Sequence, residues 1–236
     1  MDKNKAKNTQ SQFTTGIKDA LPVVLGYLPL GVAFGVLARS YGVSTGQVAA
    51  LSILMYSGSG QFIAIGLLKA GLAPLEIITS IFLVNLRYLL LSASIAPFFR
   101  KIPSPYLAAA AHGITDETYA VALGRFRNTE ATLPYTAGLF TTAYLSWVSG
   151  TVLGAAVGNL AGDTARFGLD FALTAMFISL LVMQLNSRPV LMAAVVSGVL
   201  SVIIREYLHS GWNVVAATVM AATLGVIFSR WKAKYL

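Results

Sequence analysis

The stretch AALSILMYSGSGQFIAIGLL, residues Ala49–Leu68, decides how the fold is interpreted. Two serines, two glycines and a glutamine lie between apolar residues that would otherwise form one uninterrupted helix. In hydrocarbon each polar group needs a partner inside the protein, and each glycine weakens a helix. The stretch therefore predicts a helix that is broken at Ser57–Gln61, a closely packed helix face, or both.

The composition surrounding this stretch indicates an integral membrane protein. Hydrophobic residues make up 56% of the 236 residues and charged residues only 11%, less than half of the roughly 25% in soluble domains. Long apolar runs occur at about residues 20–38, 47–68, 76–97, 134–158, 168–186, 189–204 and 212–229. A helix needs about 20 residues to cross the bilayer. The runs lack the alternation of a transmembrane β-barrel, so we expect an all-α membrane protein.

Several functional classes are excluded or disfavoured by residue usage. The chain has no cysteine, which excludes disulfides and thiolate metal sites, and we expect neither a metal nor a cofactor. The net charge of +8 comes from basic residues at the ends of apolar runs, which indicates membrane topology rather than nucleic-acid binding. Residues 1–18 are polar and basic and do not form a signal peptide. We expect them to be a cytoplasmic tail.

The predicted topology depends on residues 105–124, a less apolar segment. If it crosses, the bundle has about eight transmembrane helices and both termini lie on one side. Eleven lysines and arginines then lie on the side of the termini and five on the other, which places both termini in the cytoplasm of a prokaryotic cell. Leaving the segment out gives seven crossings. Residues 19–236 are predicted to form one transmembrane transporter domain.

Arg87 is the polar residue that lies deepest in an apolar run. It is about eleven residues from either end of its run, or roughly 16 Å of helical rise, so it cannot easily reach water and needs an anionic partner. A turn near residues 100–105 brings Asp116 and Glu117 to the same depth. The sequence predicts that Arg87 pairs with one of them.

Helical spacing predicts which polar residues share a face. Asn85 and Arg87, two residues apart, point nearly oppositely on a straight helix, so both cannot face one cavity unless the helix is irregular or one of them contacts a neighbouring helix. His112 and Asp116 align on one face and could relay protons, although a packing role for His112 is the more common outcome.

Three interpretations of the interrupted stretch remain open. It is a small-residue packing face, a helix break whose freed amides bind a carboxylate, or the location of a nucleophilic Ser59. Pro29 predicts a second break in the first run. In the second half, Gly150, Gly154 and Gly158 predict a helix-packing face, and Trp147 is expected in an interfacial belt.

Four motifs together resemble one known family. The stretches LPVVLGYLPLGVAFG, YSGSGQF, NLRYLLLSASIAP and GITDETYAV are similar to the AzlC family, the large subunit of branched-chain amino acid exporters. The similarity runs from about Gly16 to Gly158. Gly60 departs from the alanine that is frequent in the family. The resemblance implies export of leucine, isoleucine, valine or similar amino acids, driven by a proton or ion gradient, with a small membrane subunit of the AzlD type.

The candidate site is assigned from depth and charge, because the resemblance supplies no binding residues. The ion-pair and coupling candidates are Arg87, Asp116, Glu117 and His112. The substrate-binding candidates are Pro29, Phe34, Tyr56, Ser57, Gly58, Ser59, Gly60, Gln61, Phe62, Asn85 and Arg87. In this hypothesis the broken backbone and Arg87 take the substrate carboxylate, a carboxylate takes its ammonium, and the aromatic rings contact its apolar side chain.

Two other functional classes stay open. Ser59 with His112 or His209 would form the dyad of an intramembrane serine hydrolase. A scaffold subunit that does not transport would tolerate apolar residues at the polar positions.

Overall fold

The structure is a computed structural model and describes residues 3–158 and 188–207, together with residues 171, 174–175, 178, 181–182, 185, 220 and 223. These residues contain eight α-helices and no strand, which confirms the predicted all-α membrane protein. The helices are α1 (Lys3–Ser40), α2 (Thr45–Leu54), α3 (Gly58–Lys69), α4 (Pro74–Ile95), α5 (Ser104–His112), α6 (Asp116–Phe126), α7 (Leu133–Val157) and α8 (Arg188–Tyr207), with a 3₁₀ helix over Ala96–Lys101.

Three of the described segments are long and apolar enough to cross a membrane: Thr9–Ser40, Pro74–Arg100 and Leu133–Val157. The chain divides into two compact units. One comprises Met1–Gln61 with Asn85–Ala172, and the other comprises Phe62–Val84 with Leu173–Leu236. The contacts described below lie within the first unit. In the second, Phe62 and Ile65 of α3 are buried. A single domain over residues 19–236 stays a prediction.

Helices α1 and α7 pack together through glycines. Three glycines of α1 lie against three of α7 in the same order along both helices, so the two helices run parallel: Gly16 with Gly138, Gly31 with Gly150 and Gly35 with Gly154. A Cβ atom on Gly35 would overlap the backbone oxygen of Thr151. The glycine face that the sequence predicted on α7 therefore packs within the protein. The contact between α1 and α7 begins at Gly16, which belongs to the predicted N-terminal tail.

The predicted break at Pro29 is wrong. Helix α1 continues through both Pro22 and Pro29 as one helix of 38 residues. Proline removes one backbone hydrogen bond and strains the preceding turn, at a cost of roughly 3 kcal/mol in a helix interior. The close packing of α1 along α7 on both sides of Pro29 holds the helix together despite that cost.

The predicted break near Ser57 is confirmed. Helix α2 begins with a capping box formed by Ser44 and Gln47 and ends at Leu54. Residues 55–57 are not helical, and α3 begins at Gly58. The chain therefore offers two half-helices where the apolar pattern alone would predict one.

Residues 105–124 were predicted to cross the membrane, and their path in the structure is different. Helix α5 ends at His112 and α6 begins at Asp116. The ring centroid of Phe126, at the end of α6, lies 6.1 Å from that of Phe98 and 5.7 Å from that of Phe99, which directly precede α5. Helices α5 and α6 therefore form a hairpin that begins and ends at the same end of the bundle.

The hairpin tip lies at mid-height of the first unit. Gly113 lies against Phe140, about a third of the way along α7, and Thr115 lies against Tyr27 near the middle of α1. The crossing failed as a prediction because Thr115 starts a new helix. Its side chain accepts the amide of Thr118, and Asp116 and Glu117 occupy the first turn, which is a helix start in the middle of the segment.

Helices α5 and α6 return to the end of the bundle at which they begin, so residues 105–124 add no crossing within the first unit. The side of the membrane on which each terminus lies stays a prediction.

Candidate functional site

Arg87 forms the predicted ion pair with Asp116. It is the middle residue of the candidate span Pro74–Arg100. Its Nη1 lies 2.7 Å from Oδ2 of Asp116, with side chains 23% and 28% exposed. Its Nη2 donates to Oγ of Ser59 at 2.5 Å. The guanidinium thus joins α4 to the start of α6 and the start of α3.

Asn85 and Arg87 both contact the first break, although opposite faces were predicted for them. Asn85 Oδ1 accepts a hydrogen bond from Ser57 Oγ at 2.7 Å. The Arg87 guanidinium lies over the Tyr88 ring, 5.0 Å from its centroid, and Nη2 donates to the Tyr88 hydroxyl at 3.2 Å. The long arginine side chain therefore bends onto the face of Asn85 and Tyr88, and α4 stays regular.

Side chains satisfy several of the backbone groups that the first break releases. Ser57 Oγ accepts the amide of Gly60 at 3.2 Å. Nε2 of Gln61 donates to the carbonyl of Met55 at 2.6 Å, and its Oε1 accepts from Nε1 of Trp147 at 3.1 Å. Gln61 is fully buried. The glutamine predicted to bind substrate therefore stabilises the break.

The second break uses the same device with different residues. Thr115 Oγ1 accepts the amide of Thr118, and the Thr118 hydroxyl donates to the carbonyl of Gly113 at 2.8 Å. Thr118 therefore has the role at this break that Gln61 has at the first. Non-helical backbone inside a membrane protein persists when its polar groups are satisfied in this way.

Glu117 has a different partner from Asp116. Its Oε2 accepts a hydrogen bond from the Tyr27 hydroxyl at 2.7 Å, and that hydroxyl also lies 2.6 Å from Oγ1 of Thr115. The charge of Arg87 is thus paired with Asp116, and Glu117 is held by a neutral donor.

Aromatic rings surround the first break. The ring centroid of Tyr56 lies 6.3 Å from Tyr27, 5.9 Å from His112 and 5.1 Å from Tyr144. Trp147, 5.5 Å from Tyr27, is 3% exposed and is not in an interfacial belt as predicted. Phe34, predicted to line a pocket, is fully buried and stacks on Trp147 at 6.3 Å.

Other candidates lie away from this centre or were assigned wrong partners. Pro29 is exposed on α1, and Phe62 is buried in the second unit. His112 and Asp116 belong to different helices, so the predicted shared face does not exist. Gly58 and Gly60 lie at the start of α3, where a Cβ on Gly58 would be 3.0 Å from the Trp147 ring.

The serine–histidine dyad is not formed by the described residues. Ser59 accepts from Arg87, whereas the His112 ring packs against the rings of Tyr56 and Tyr144. His209 lies outside the described residues. The described residues also contain no cluster of acidic residues and histidines suited to a metal ion.

Sequence reasoning missed Tyr27, Thr115, Thr118 and Trp147 as members of this centre. The pattern Thr115-Asp-Glu-Thr118 was a readable helix start, and Trp147 lies near the middle of its apolar run rather than at an end. Tyr27 gave no comparable signal, because only the packing of α1 brings its hydroxyl to Glu117.

Comparison with known proteins places the chain in a family of membrane proteins. Residues 22–161 match the family model described as AzlC protein. An uncharacterized membrane protein of Archaeoglobus fulgidus is 33% identical over 228 residues, covering 94% of this chain and 95% of the relative. The inner membrane protein YgaZ of Escherichia coli is 30% identical, covering 75% and 74%.

A further relative has a transport function in its name. The branched-chain amino acid transport protein AzlC of Bacillus subtilis is 27% identical over 234 residues, covering 95% of this chain and 87% of the relative. No solved structure matches the chain. The family match covers more than half of the sequence, including both helix breaks and Arg87, and the chain is therefore a member of the AzlC family.

Proposed function

We propose that this protein is a secondary transporter that exports branched-chain amino acids. Membership of the AzlC family and the transport protein of Bacillus subtilis support a membrane transporter. The observation that carries the proposal further is the Arg87–Asp116 ion pair, which lies in the middle of a candidate span between two helix breaks. Ionisable residues at such depth commonly mark a substrate or ion pathway.

The charges around the two breaks complement a zwitterion. Arg87 and the start of α3 offer donors and positive charge to a carboxylate. Asp116 and Glu117 offer negative charge to an ammonium group or to a coupling proton. Tyr56, with Tyr27 and Tyr144 beside it, offers an apolar surface to a branched side chain. These roles are part of the proposal.

A hydrolase and a passive scaffold are less well supported. Ser59 is bonded to Arg87 rather than to His112. A passive scaffold has no need for an arginine at the centre of a span, where a charge costs about 2.5–3.5 kcal/mol on insertion scales. The protein is therefore proposed not to be an enzyme.

Basic residues support a cytoplasmic N-terminus. Arg125 pairs with Asp19 at the end of the bundle where α1 begins, and Arg100 and Arg127 line one cavity there. In the charge count from the sequence, Arg100 was one of the five basic residues assigned to the side opposite the termini. Arg39 lies at the other end, beside Gly158. This excess of positive charge favours the cytoplasmic membrane orientation that the sequence predicted. The C-terminus lies outside the described residues.

The test is counterflow of labelled leucine, valine and methionine into proteoliposomes preloaded with the unlabelled amino acid. The chain is assayed alone and with a small AzlD-type subunit, against protein-free liposomes. We expect leucine and valine to accumulate transiently. Imposed proton and sodium gradients then identify the coupling ion. Absence of amino acid flux in both preparations, with correctly folded protein, would overturn the proposal.

A further inference from the structure

The Arg87–Asp116 pair holds three pieces of the first unit together. Through Nη1 it binds the start of α6, and through Nη2 it binds Ser59 at the start of α3. Asp116 directly follows the turn that links α5 to α6, and Ser59 lies two residues after Ser57, which caps α3. One guanidinium therefore links α4 to the second halves of both broken segments.

This ion pair has the same two charges as an α-amino acid, with the signs exchanged. A substrate carboxylate can replace Asp116 on Arg87 while the substrate ammonium takes Asp116. One internal ion pair then becomes two ion pairs with the substrate, and no charge is left unpaired. Within the described residues the buried Nε of Arg87 has no hydrogen-bond partner, so a donor is free for a carboxylate oxygen.

We propose that the Arg87–Asp116 pair is a latch that a zwitterionic substrate opens by inserting between the two side chains. The inference rests on the proposed function, since it names how that substrate is recognised. When the latch is closed, α6 is held against α4. When substrate inserts, the direct bond is lost and the start of α6 separates from α4.

The latch explains a requirement for both charges. A carboxylate without an ammonium would bind Arg87 and leave Asp116 unpaired near the middle of a span, and an amine would leave Arg87 unpaired. Burying an unpaired charge is costly. Only a ligand with both charges opens the latch without that cost, and a ligand shifts a conformational equilibrium only by its difference in affinity for the two states.

A second contact between α4 and α6 can be used to measure the proposed separation of these two helices. The Ser94 and Tyr119 hydroxyls lie 2.9 Å apart, between the latch and the end of the bundle where α4 and α6 finish. Neither residue belongs to the proposed site. The chain has no cysteine, so Ser94→Cys with Tyr119→Cys supplies the only two thiols.

The experiment measures the rate at which a short thiol-reactive cross-linker joins these two cysteines in proteoliposomes. Leucine, the keto acid of leucine and isoamylamine are compared, because the last two each lack one charge. We expect leucine to slow cross-linking several-fold and the other two to leave it unchanged. Asp116→Asn in the same background should cross-link slowly and should not respond to leucine.

Three controls make each outcome decisive. Asp19→Asn disrupts the Arg125–Asp19 ion pair, which lies away from the proposed site, and should leave the response to leucine intact. Asp116→Glu, which retains the charge, should restore the response and shows that the site still folds. Leucine counterflow is measured on the cysteine variant itself.

Unchanged cross-linking in a variant that exchanges leucine would overturn the latch and leave the proposed function standing. An equal effect of the keto acid would overturn the requirement for both charges. If neither the cysteine variant nor the wild-type chain exchanges leucine, both the latch and the proposed function are overturned.

Discussion

The two helix breaks of the first unit share one backbone device and differ in charge. Ser57 and Thr115 each accept an amide three residues later, and a side chain beyond each cap donates to the carbonyl of the first residue of the break. After Ser57 the chain continues with uncharged Gly58 and Ser59. After Thr115 it continues with Asp116 and Glu117.

Backbone geometry and charge are therefore set by different residues at each break. Capping makes each break tolerable inside the protein, because the freed polar groups are satisfied. The next two residues determine which charge the break presents. Arg87 lies against both starts, so it adds positive charge to the uncharged break and neutralises one carboxylate of the acidic break.

The largest effect on transport is expected at Arg87, which contacts the helix start after each break. Arg87→Gln leaves Asp116 without its cation, and we expect leucine counterflow to fall roughly 30-fold, about 2 kcal/mol. That estimate is at the low end of the usual range because both side chains are partly exposed. The double variant Arg87→Gln with Asp116→Asn leaves no unpaired charge. We therefore expect it to be more stable to heat than Arg87→Gln alone, while its transport stays low.

The matched control for this pair is Arg125→Gln, which disrupts the Arg125–Asp19 pair at the end of the bundle. Its counterflow should stay close to that of the wild type. Near-normal transport by both Arg87→Gln and Asp116→Asn, at equal amounts of protein in the membrane, would remove the pair from the mechanism.

The second-largest effect is expected from close packing, which differs between the glycines of the two breaks. A Cβ on Gly113 would lie 2.6 Å from Phe140, including its Cβ, whereas a Cβ on Gly58 would be 3.0 Å from the far edge of the Trp147 ring. Gly113→Ala must therefore displace α7 or α5, at about 2 kcal/mol. Gly58→Ala needs only a small ring shift, at less than about 1 kcal/mol. Thermal denaturation in detergent measures both, and equal losses would contradict the comparison.

The side chains that form hydrogen bonds across the two breaks should differ less in their contribution to stability than the two glycines do. Gln61→Leu removes the bonds to the Met55 carbonyl and to Trp147 and should cost about 2 kcal/mol. Thr118→Val removes the bond to Gly113 at nearly constant volume and should cost about 1 kcal/mol. The same thermal assay compares them. A larger loss for Thr118→Val would show that the second break carries more of the stability.

The smallest difference between the two breaks is expected at their caps. Ser57→Ala and Thr115→Ala each remove an acceptor for one amide, at about 1 kcal/mol of stability. Thr115→Ser keeps the hydroxyl and should stay near wild type, which makes it the matched control. If Ser57→Ala loses transport with no loss of thermal stability, then Ser57 acts on the substrate rather than on the helix start.

Much of the centre could be predicted from residue chemistry. Arg87 stood in the middle of an apolar run, so it required an anion, and a turn at the right distance indicated Asp116 or Glu117. The run around Ser57–Gln61 predicted a break, because glycine and polar side chains oppose a continuous helix. In both cases the cost of burying polar groups in hydrocarbon is large enough to appear in the sequence itself.

The path of the chain could not be predicted in the same way. Pro29 lies in an unbroken helix because α7 packs beside it, and residues 105–124 turn back because Thr115 caps a new helix against Tyr27. Residues 105–124 are less apolar than the runs that could cross, but hydropathy alone does not show whether such a segment crosses or turns back at mid-height.

From the residues alone we could predict a helical membrane protein with a buried cation, a carboxylate to pair with it and a break beside them. These follow from composition and depth, which are properties of single segments. Three further features appear only in the folded chain: Asp116 rather than Glu117 pairs with Arg87, Tyr27 holds Glu117, and α5 and α6 form a hairpin. Those outcomes depend on which side chains of different helices meet, and that is set by the packing of α1 against α7.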